Sequence, residues 1–151
     1  MAVLELQTQN EIVTYASSAF TKERVMQVFQ QYRFQLINDG FTAFGLASRS
    51  FEVFLDDHKL FRAYCNDLGH VKRILNDLGV PETTKLNLLA SAPHYHSDLG
   101  ASFNGELARF AEPLPKEELE RFQKDPTAYN RFKQDIIARL EMGVQSRRGY
   151  S

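Results

Sequence analysis

Apolar residues recur with a helical period along most of this chain, and this spacing constrains the fold more than any other feature of the sequence. Between residues 25 and 36 the apolar positions are 4, 3 and 4 apart, so they share one face of a predicted helix. They are Val25, Phe29, Tyr32 and Leu36. Thr21 is placed to cap the start of this helix, and Gly40, after Asn38 and Asp39, is placed to end it in a left-handed conformation.

The segment before this helix is also predicted to be helical. Residues 8–20 open with Thr8-Gln9-Asn10-Glu11, which is typical of a capping box, where Thr and Glu bond to the free amides of a helix start. The segment after it, 41–50, contains small residues and a glycine. It is compatible with a loop, a short helix or a hinge.

A broad apolar face extends over residues 51–78, where several large side chains stand seven residues apart. This face predicts either two helices or one long helix bent at Gly69. The sequence Leu78-Gly79-Val80-Pro81 then predicts a helix end. Gly79 would be left-handed with Val80 as its hydrophobic contact, and Pro81 would occupy the first position of the next helix.

The last third of the chain alternates between loops and helices in this interpretation. Residues 82–92 are predicted to be helical, and 93–105 to form a long loop rich in Pro, Ser, Asp, Asn and Gly. A short helix over 116–124 precedes Asp125-Pro126, which would open a final helix. The buried stripe of that helix is predicted to be Tyr129, Phe132, Ile136 and Leu140. Residues 145–151 are predicted to be a flexible tail.

Together these segments predict an all-α fold, an irregular bundle of roughly five to seven helices with one long loop near 93–105. The 151 residues suit a single helical domain, since one core commonly serves about 100–150 residues. The chain could be subdivided into a helical body, 1–92, and a C-terminal helical pair, 113–142.

Charge and cysteine content limit the classes of function. The 18 Lys and Arg nearly balance the 19 Asp and Glu, which argues against nucleic-acid binding through an extended basic surface. The single cysteine, Cys65, cannot form an internal disulfide. The chain shows neither a secretory signal pattern nor the roughly 18 apolar residues of a membrane span. We therefore expect a cytoplasmic protein that does not associate with a membrane.

Aromatic residues provide the main indication of function. The chain has 12 Phe and 6 Tyr but no Trp, and many of them lie between Phe20 and Tyr64. Such residues either build the core or form an exposed patch for a partner. Because no coherent catalytic set is visible, we expect no enzyme and no cofactor. The favoured hypothesis is a non-catalytic binding or assembly protein that acts through protein–protein contacts or self-association. Its candidate partner-binding residues are Phe41, Phe44, Phe51 and Phe54.

A first alternative comes from the segment between Ile74 and Lys85, which resembles a helix-turn-helix motif. The resemblance rests on Leu78-Gly79-Val80, the turn that joins a first helix to a recognition helix. It implies a DNA-binding regulator that uses residues 74–90. The implied contact residues are Thr83, Thr84, Lys85 and Asn87. An ordinary helix–glycine–helix corner explains the same residues.

A second alternative is a metal-binding protein. His94, His96 and Asp98 place three potential zinc ligands within five residues. The segment resembles the metal-binding loop of the metallo-β-lactamase superfamily. Apart from that resemblance, His94, His96 and Asp98 are predicted to bind zinc or a similar ion if the fold brings His58, His70 or Cys65 close enough to complete the site. No histidine follows His96, and Leu99 stands where many hydrolases of that family have another. We therefore expect no catalytic centre of that type, and a polar surface loop is the other interpretation.

Overall fold

The computed structural model of this chain describes residues 1–8, 10–17, 20–84, 116–125, 127 and 131–149. Their dominant element is a six-stranded sheet in the order β5-β4-β3-β1-β2-β6, in which every neighbouring pair is antiparallel. The strands are β1 Ala2–Gln7, β2 Glu11–Ser17, β3 Thr42–Ala47, β4 Phe51–Leu55, β5 Phe61–Cys65 and β6 Gly143–Gly149. The predicted all-α bundle is therefore wrong, and the chain is a mixed α and β protein.

Helices connect the strands at two places. They are α1 Lys22–Gln31, α2 Arg33–Asn38, α3 Leu68–Asp77, α4 Lys116–Lys124 and α5 Phe132–Arg139. The helix predicted around Val25 and Leu36 is confirmed, although it is divided at Tyr32 into α1 and α2. The short helix at Lys116–Lys124 is also confirmed.

The core lies between one face of the sheet and the helices α1, α2 and α5. Leu4 of β1 pairs with Tyr15 of β2 on one side and Phe44 of β3 on the other, so these side chains share the helix-covered face. The predicted stripes of α1, α2 and α5 pack onto this face, except that Tyr129 of the last stripe lies outside the described residues. The fully or nearly fully buried residues of this core include Leu4, Val28, Leu36, Phe132, Ile136 and Leu140. Alternate strand residues point to the opposite face of the sheet.

β1 and β2 form a hairpin, so the helix predicted over 8–20 is wrong for the residues of this range that the structure describes. The Thr8 hydroxyl accepts hydrogen bonds from the N–H groups of Asn10 and Glu11, at 3.3 and 3.1 Å, and donates to the Glu11 carbonyl at 3.0 Å. The capping-box pattern thus makes the expected local bond, but that bond closes a hairpin. Ile12, Val13 and Thr14 are β-branched and favour the strand that follows.

The broad apolar face predicted over 51–78 is divided between the β4–β5 hairpin and α3. Asp56 closes the hairpin, because its Oδ1 accepts the Leu60 N–H at 2.8 Å, and Lys59 adopts a left-handed conformation with φ of 62°. The helix begins only after Asp67, whose carboxylate accepts the His70 N–H at 3.0 Å. Aspartates that bond to nearby amides are typical of turns and caps, and this chemistry decides the local structure.

The predicted helix end at Gly79 is confirmed. Gly79 has φ of 77°, its N–H donates to the Asn76 carbonyl, and the Val80 N–H donates to the Leu75 carbonyl, both at 2.9 Å. This is the Schellman pattern. Gly40, by contrast, is not left-handed: among the glycines that the structure describes, only Gly79 has a positive φ.

The tail predicted from residue 145 is instead the edge strand β6 as far as Gly149. β6 pairs with β2, and its arginines reach acidic residues of the neighbouring strands. Arg147 lies 2.7 Å from Glu11, and Arg148 lies 3.3 Å from Glu5. These pairs require the folded sheet, so the local sequence does not reveal them.

Candidate functional site

An apolar groove of about 330 Å³ lies on the helix-covered face, beside the core. One wall consists of exposed or partly exposed residues of α1 and α2, and the other consists of side chains from β3, β4 and β5. The helix wall includes Met26, Gln30, Arg33 and Ile37, and the sheet wall includes Phe44, Leu46, Val53, Leu55 and Phe61. The groove is open along one side. Concave apolar surfaces with few polar groups are typical of binding sites.

The outer edge of the sheet at β5 exposes two aromatic side chains. Phe61 is 55% exposed and Tyr64 is 58% exposed, and they point to opposite faces of the sheet. The Arg62 guanidinium lies on the same face as Tyr64, 2.7 Å from the Asp56 carboxylate. That carboxylate is the main cause of a raised Arg62 pKa. The alternating Phe-Arg-Ala-Tyr-Cys pattern is the sequence signal for this strand, and the helical interpretation missed it.

Among the described residues, β5 pairs on one side only, with β4. The Asp56 N–H donates to the Leu60 carbonyl at 3.1 Å, and the Asn66 N–H donates to the Ser50 carbonyl at 3.4 Å. Bonded and non-bonded pairs alternate in an antiparallel ladder, so Arg62 and Tyr64 also bond inward to β4. The N–H and C=O groups of Phe61, Ala63 and Cys65 therefore point away from the sheet.

The other edge of the sheet, at β6, is protected. Its two arginines are paired with Glu11 and Glu5, and the register with β2 shifts between Thr14 and Tyr15. Charges and bulges at an edge oppose pairing with another strand. Of the two edges, β5 is therefore the one suited to add a strand.

The candidate partner-binding phenylalanines are divided between the two faces of the sheet. Phe44 and Phe51 belong to the helix-covered face. There the rings of Phe44 and Phe29 pack edge to face, with their centroids 4.9 Å apart. Phe54 points to the opposite face, and its ring lies against Gly45. Phe41 lines a small pocket on that opposite face with Phe54. All four are partly buried.

The residues of the two alternative hypotheses lie largely outside the described residues. This applies to Lys85 and Asn87 and to all three proposed zinc ligands, His94, His96 and Asp98. Thr83 and Thr84 are described, and they are exposed. Residues 81–84 are not helical, although the helix-turn-helix resemblance requires a second helix to begin there.

The turn between β4 and β5 brings together three side chains of metal-ligand type. Possible ligand atoms of Asp56, Asp57 and His58 lie within 4.8 Å of one another. Asp56 accepts the Leu60 N–H and pairs with Arg62, and the His58 Nδ1 lies 2.9 Å from Asp57. These contacts explain the cluster without an ion.

Behind this turn, a network of charged groups joins three separate parts of the chain. The Asp39 carboxylate, at the end of α2, lies 3.1 Å from the Lys133 Nζ on α5. It also accepts the Thr42 hydroxyl at 2.8 Å. The Lys59 Nζ donates to the Thr42 carbonyl at 2.6 Å. Burial lowers the pKa of Lys59 to about 8, against the opposing attraction of Asp39 and Asp57. This network positions the β4–β5 hairpin and hence the β5 edge.

We expect Lys59 to make stability depend on pH. Because its pKa is about 8 in the folded chain and near 10.5 when unfolded, the unfolded state binds more protons between these values. This group should therefore make the free energy of unfolding rise with pH between about 8 and 10.5. Urea titrations near neutral pH and at about pH 10 would measure the change in the free energy of unfolding with pH. The native chain and Lys59→Met would be compared in this way. Lys72→Met, at an exposed position, is the control, and equal slopes in the native chain and Lys59→Met would contradict the expectation.

Comparison with protein-family models, curated proteins and solved structures finds no match for this chain. In the part of the chain that the structure describes, no helix has the length and apolar character needed to cross a membrane.

Proposed function

We propose that this protein is a non-catalytic assembly protein whose copies associate through the edge strand β5. The observation that carries this proposal is the concentration of exposed apolar side chains on residues 61–80. Six of the ten large hydrophobic residues that are exposed in the described chain lie on or directly after β5 and α3. They are Phe61, Tyr64, Leu68, Ile74, Leu78 and Val80. Exposed apolar surface of this kind is typical of protein interfaces.

The β5 sequence is complementary to itself in an antiparallel arrangement. If two copies pair around a two-fold axis at Ala63, each Arg62 lies opposite Tyr64 of the second copy. The side chains of such non-hydrogen-bonded pairs approach closely, so the guanidinium can pack on the phenol ring. Ala63 lies opposite Ala63 of the second copy, and its small side chain offers no steric obstacle. The two sheets would then form one continuous sheet, in which the outward N–H and C=O groups of each β5 strand are hydrogen-bonded to the other copy.

Replacing Ala63 by proline should weaken this association. The Ala63 N–H points outward, so Ala63→Pro removes the two central hydrogen bonds of the interface and leaves the bonds between β4 and β5 intact. Two bonds of about 0.5–1.5 kcal/mol each correspond to a loss of affinity between roughly fivefold and 150-fold. Sedimentation velocity over a concentration series would measure it.

Ala63→Val, which keeps the N–H group, is the matched control and should still associate. Tyr64→Lys provides a second test, because it places a lysine opposite Arg62 of the other copy and should also weaken the association. Circular dichroism would verify that each variant is folded. A native chain that stays monomeric at all concentrations, or an Ala63→Pro variant that associates as the native chain does, would contradict the proposal.

A further inference from the structure

We propose that the apolar groove binds a small molecule with an alkyl chain and a carboxylate, and that Arg33 holds the carboxylate. This site is separate from the backbone edge of β5, and the inference goes beyond self-association. It assigns a ligand class to the cavity on the helix-covered face.

The helix wall of the groove runs along two successive helices, α1 and α2, which meet at Tyr32. Met26 and Gln30 of α1 stand four residues apart, as do Arg33 and Ile37 of α2, so each pair lies on one face of its helix. The wall thus combines apolar side chains with one arginine. The groove volume of about 330 Å³ lies at the small end of the range for ligand sites. This volume suits one alkyl chain.

The sheet wall supplies the apolar surface that such a chain requires. Phe44 and Leu46 of β3 pair with Leu55 and Val53 of β4, so all four side chains point into the same layer. Phe61 of β5 continues this layer to the edge. A ligand chain lying here would remove apolar surface from water on both sides, which is the main source of affinity for such ligands.

Arg33 provides the polar group that would select a carboxylate. Its guanidinium has no ion-pair or hydrogen-bond partner among the described residues, and none of the described residues that line the groove is acidic. The described walls of the groove therefore carry one positive charge without a countercharge. Guanidinium groups bind carboxylates with two parallel hydrogen bonds, and adjacent apolar walls strengthen the attraction.

Dodecanoate is a suitable probe, and the methyl groups of Met26 and Ile37 report binding at the site by NMR. We expect saturable shifts of both signals when dodecanoate is added below its micelle concentration. Arg33→Gln should weaken the binding of dodecanoate about tenfold or more, as the loss of a hydrogen bond to a charged group implies. Dodecanol, which has the same chain without the charge, should bind the native chain and Arg33→Gln equally. Arg24→Gln, which changes an arginine of α1 outside the groove, is the control and should bind as the native chain does.

The same titration on Ala63→Pro separates this proposal from self-association, because dodecanoate should shift Met26 and Ile37 there as well. Three results would overturn the proposal. The first is no shift of either methyl group up to the solubility limit of dodecanoate. The second is equal affinity of the native chain and Arg33→Gln for dodecanoate. The third is a shift of both methyl groups with protein concentration alone, which would mean that a second copy occupies the groove.

Discussion

Replacing Asp39 by alanine should lower the free energy of unfolding by about 3–5 kcal/mol, the usual effect of removing one partner of a buried ion pair. Asp39 is 1% exposed, and its carboxylate accepts bonds from the Phe41 N–H and the Thr42 hydroxyl. It also neutralises Lys133, whose side chain is itself largely buried. The variant leaves a buried ammonium and a buried hydroxyl without their acceptor.

Urea denaturation followed by circular dichroism would measure this loss of stability. Glu82→Ala is the matched control, since it breaks the exposed pair with Lys72 and should cost about 0–1 kcal/mol. We also expect Asp39→Ala to lower the pKa of Lys59 further, because Asp39 is the largest of the charges that raise it. A stability loss as small as that of Glu82→Ala would show that the network contributes little.

Gly45→Ala should destabilise the chain by about 3 kcal/mol or more, the upper end for overpacking. A Cβ atom on Gly45 would collide with the Val53 carbonyl oxygen and lie 3.0 Å from the Phe54 Cα. It would also lie 2.6 Å from the Phe54 ring. Two of these obstacles are backbone atoms of β4, so the neighbouring strands must separate to admit the methyl group.

Gly143→Ala is the control for this variant. Gly143 also lies in a strand, but no atom of the described residues lies within 4 Å of the site of its Cβ, so we expect a change within about 0.5 kcal/mol. Thermal unfolding of both variants would make the comparison. Similar unfolding temperatures for Gly45→Ala and Gly143→Ala would contradict the close approach of β4 to Gly45 of β3.

Local chemistry was predicted from the sequence more reliably than the fold. The stripe from Val25 to Leu36 and the left-handed Gly79 were identified correctly, because a helix and its end depend on residues within a few positions. Thr8 and Glu11 also bond as the sequence suggests. The hairpin that they close depends on the pairing of β1 with β3, which brings together residues more than thirty positions apart. No local pattern encodes that pairing.

The candidate sites were inaccessible to sequence analysis for a related reason. An edge strand is defined by the order of the sheet, and the alternation in 61–65 does not distinguish an edge from a centre. Likewise, Arg33 and Phe61 lie in one groove only after α2 and β5 have docked on the same face. The aromatic excess did direct attention to interfaces. Among the described residues, however, the exposed rings are those of Phe61 and Tyr64, which were not among the four candidate phenylalanines.

The single cysteine, Cys65, allows a direct test of self-association through antiparallel pairing of two β5 strands. Cys65 of one copy should lie opposite Phe61 of the other, so the two Cys65 Cα atoms are offset by four residues, or about 14 Å at ~3.4 Å per residue. A spin label on Cys65 should therefore show dipolar broadening by electron paramagnetic resonance. The broadening should disappear on mixing with excess unlabelled protein, and it should be weaker in labelled Ala63→Pro at the same concentration. Absence of broadening in labelled protein that sediments as a dimer would contradict pairing through β5.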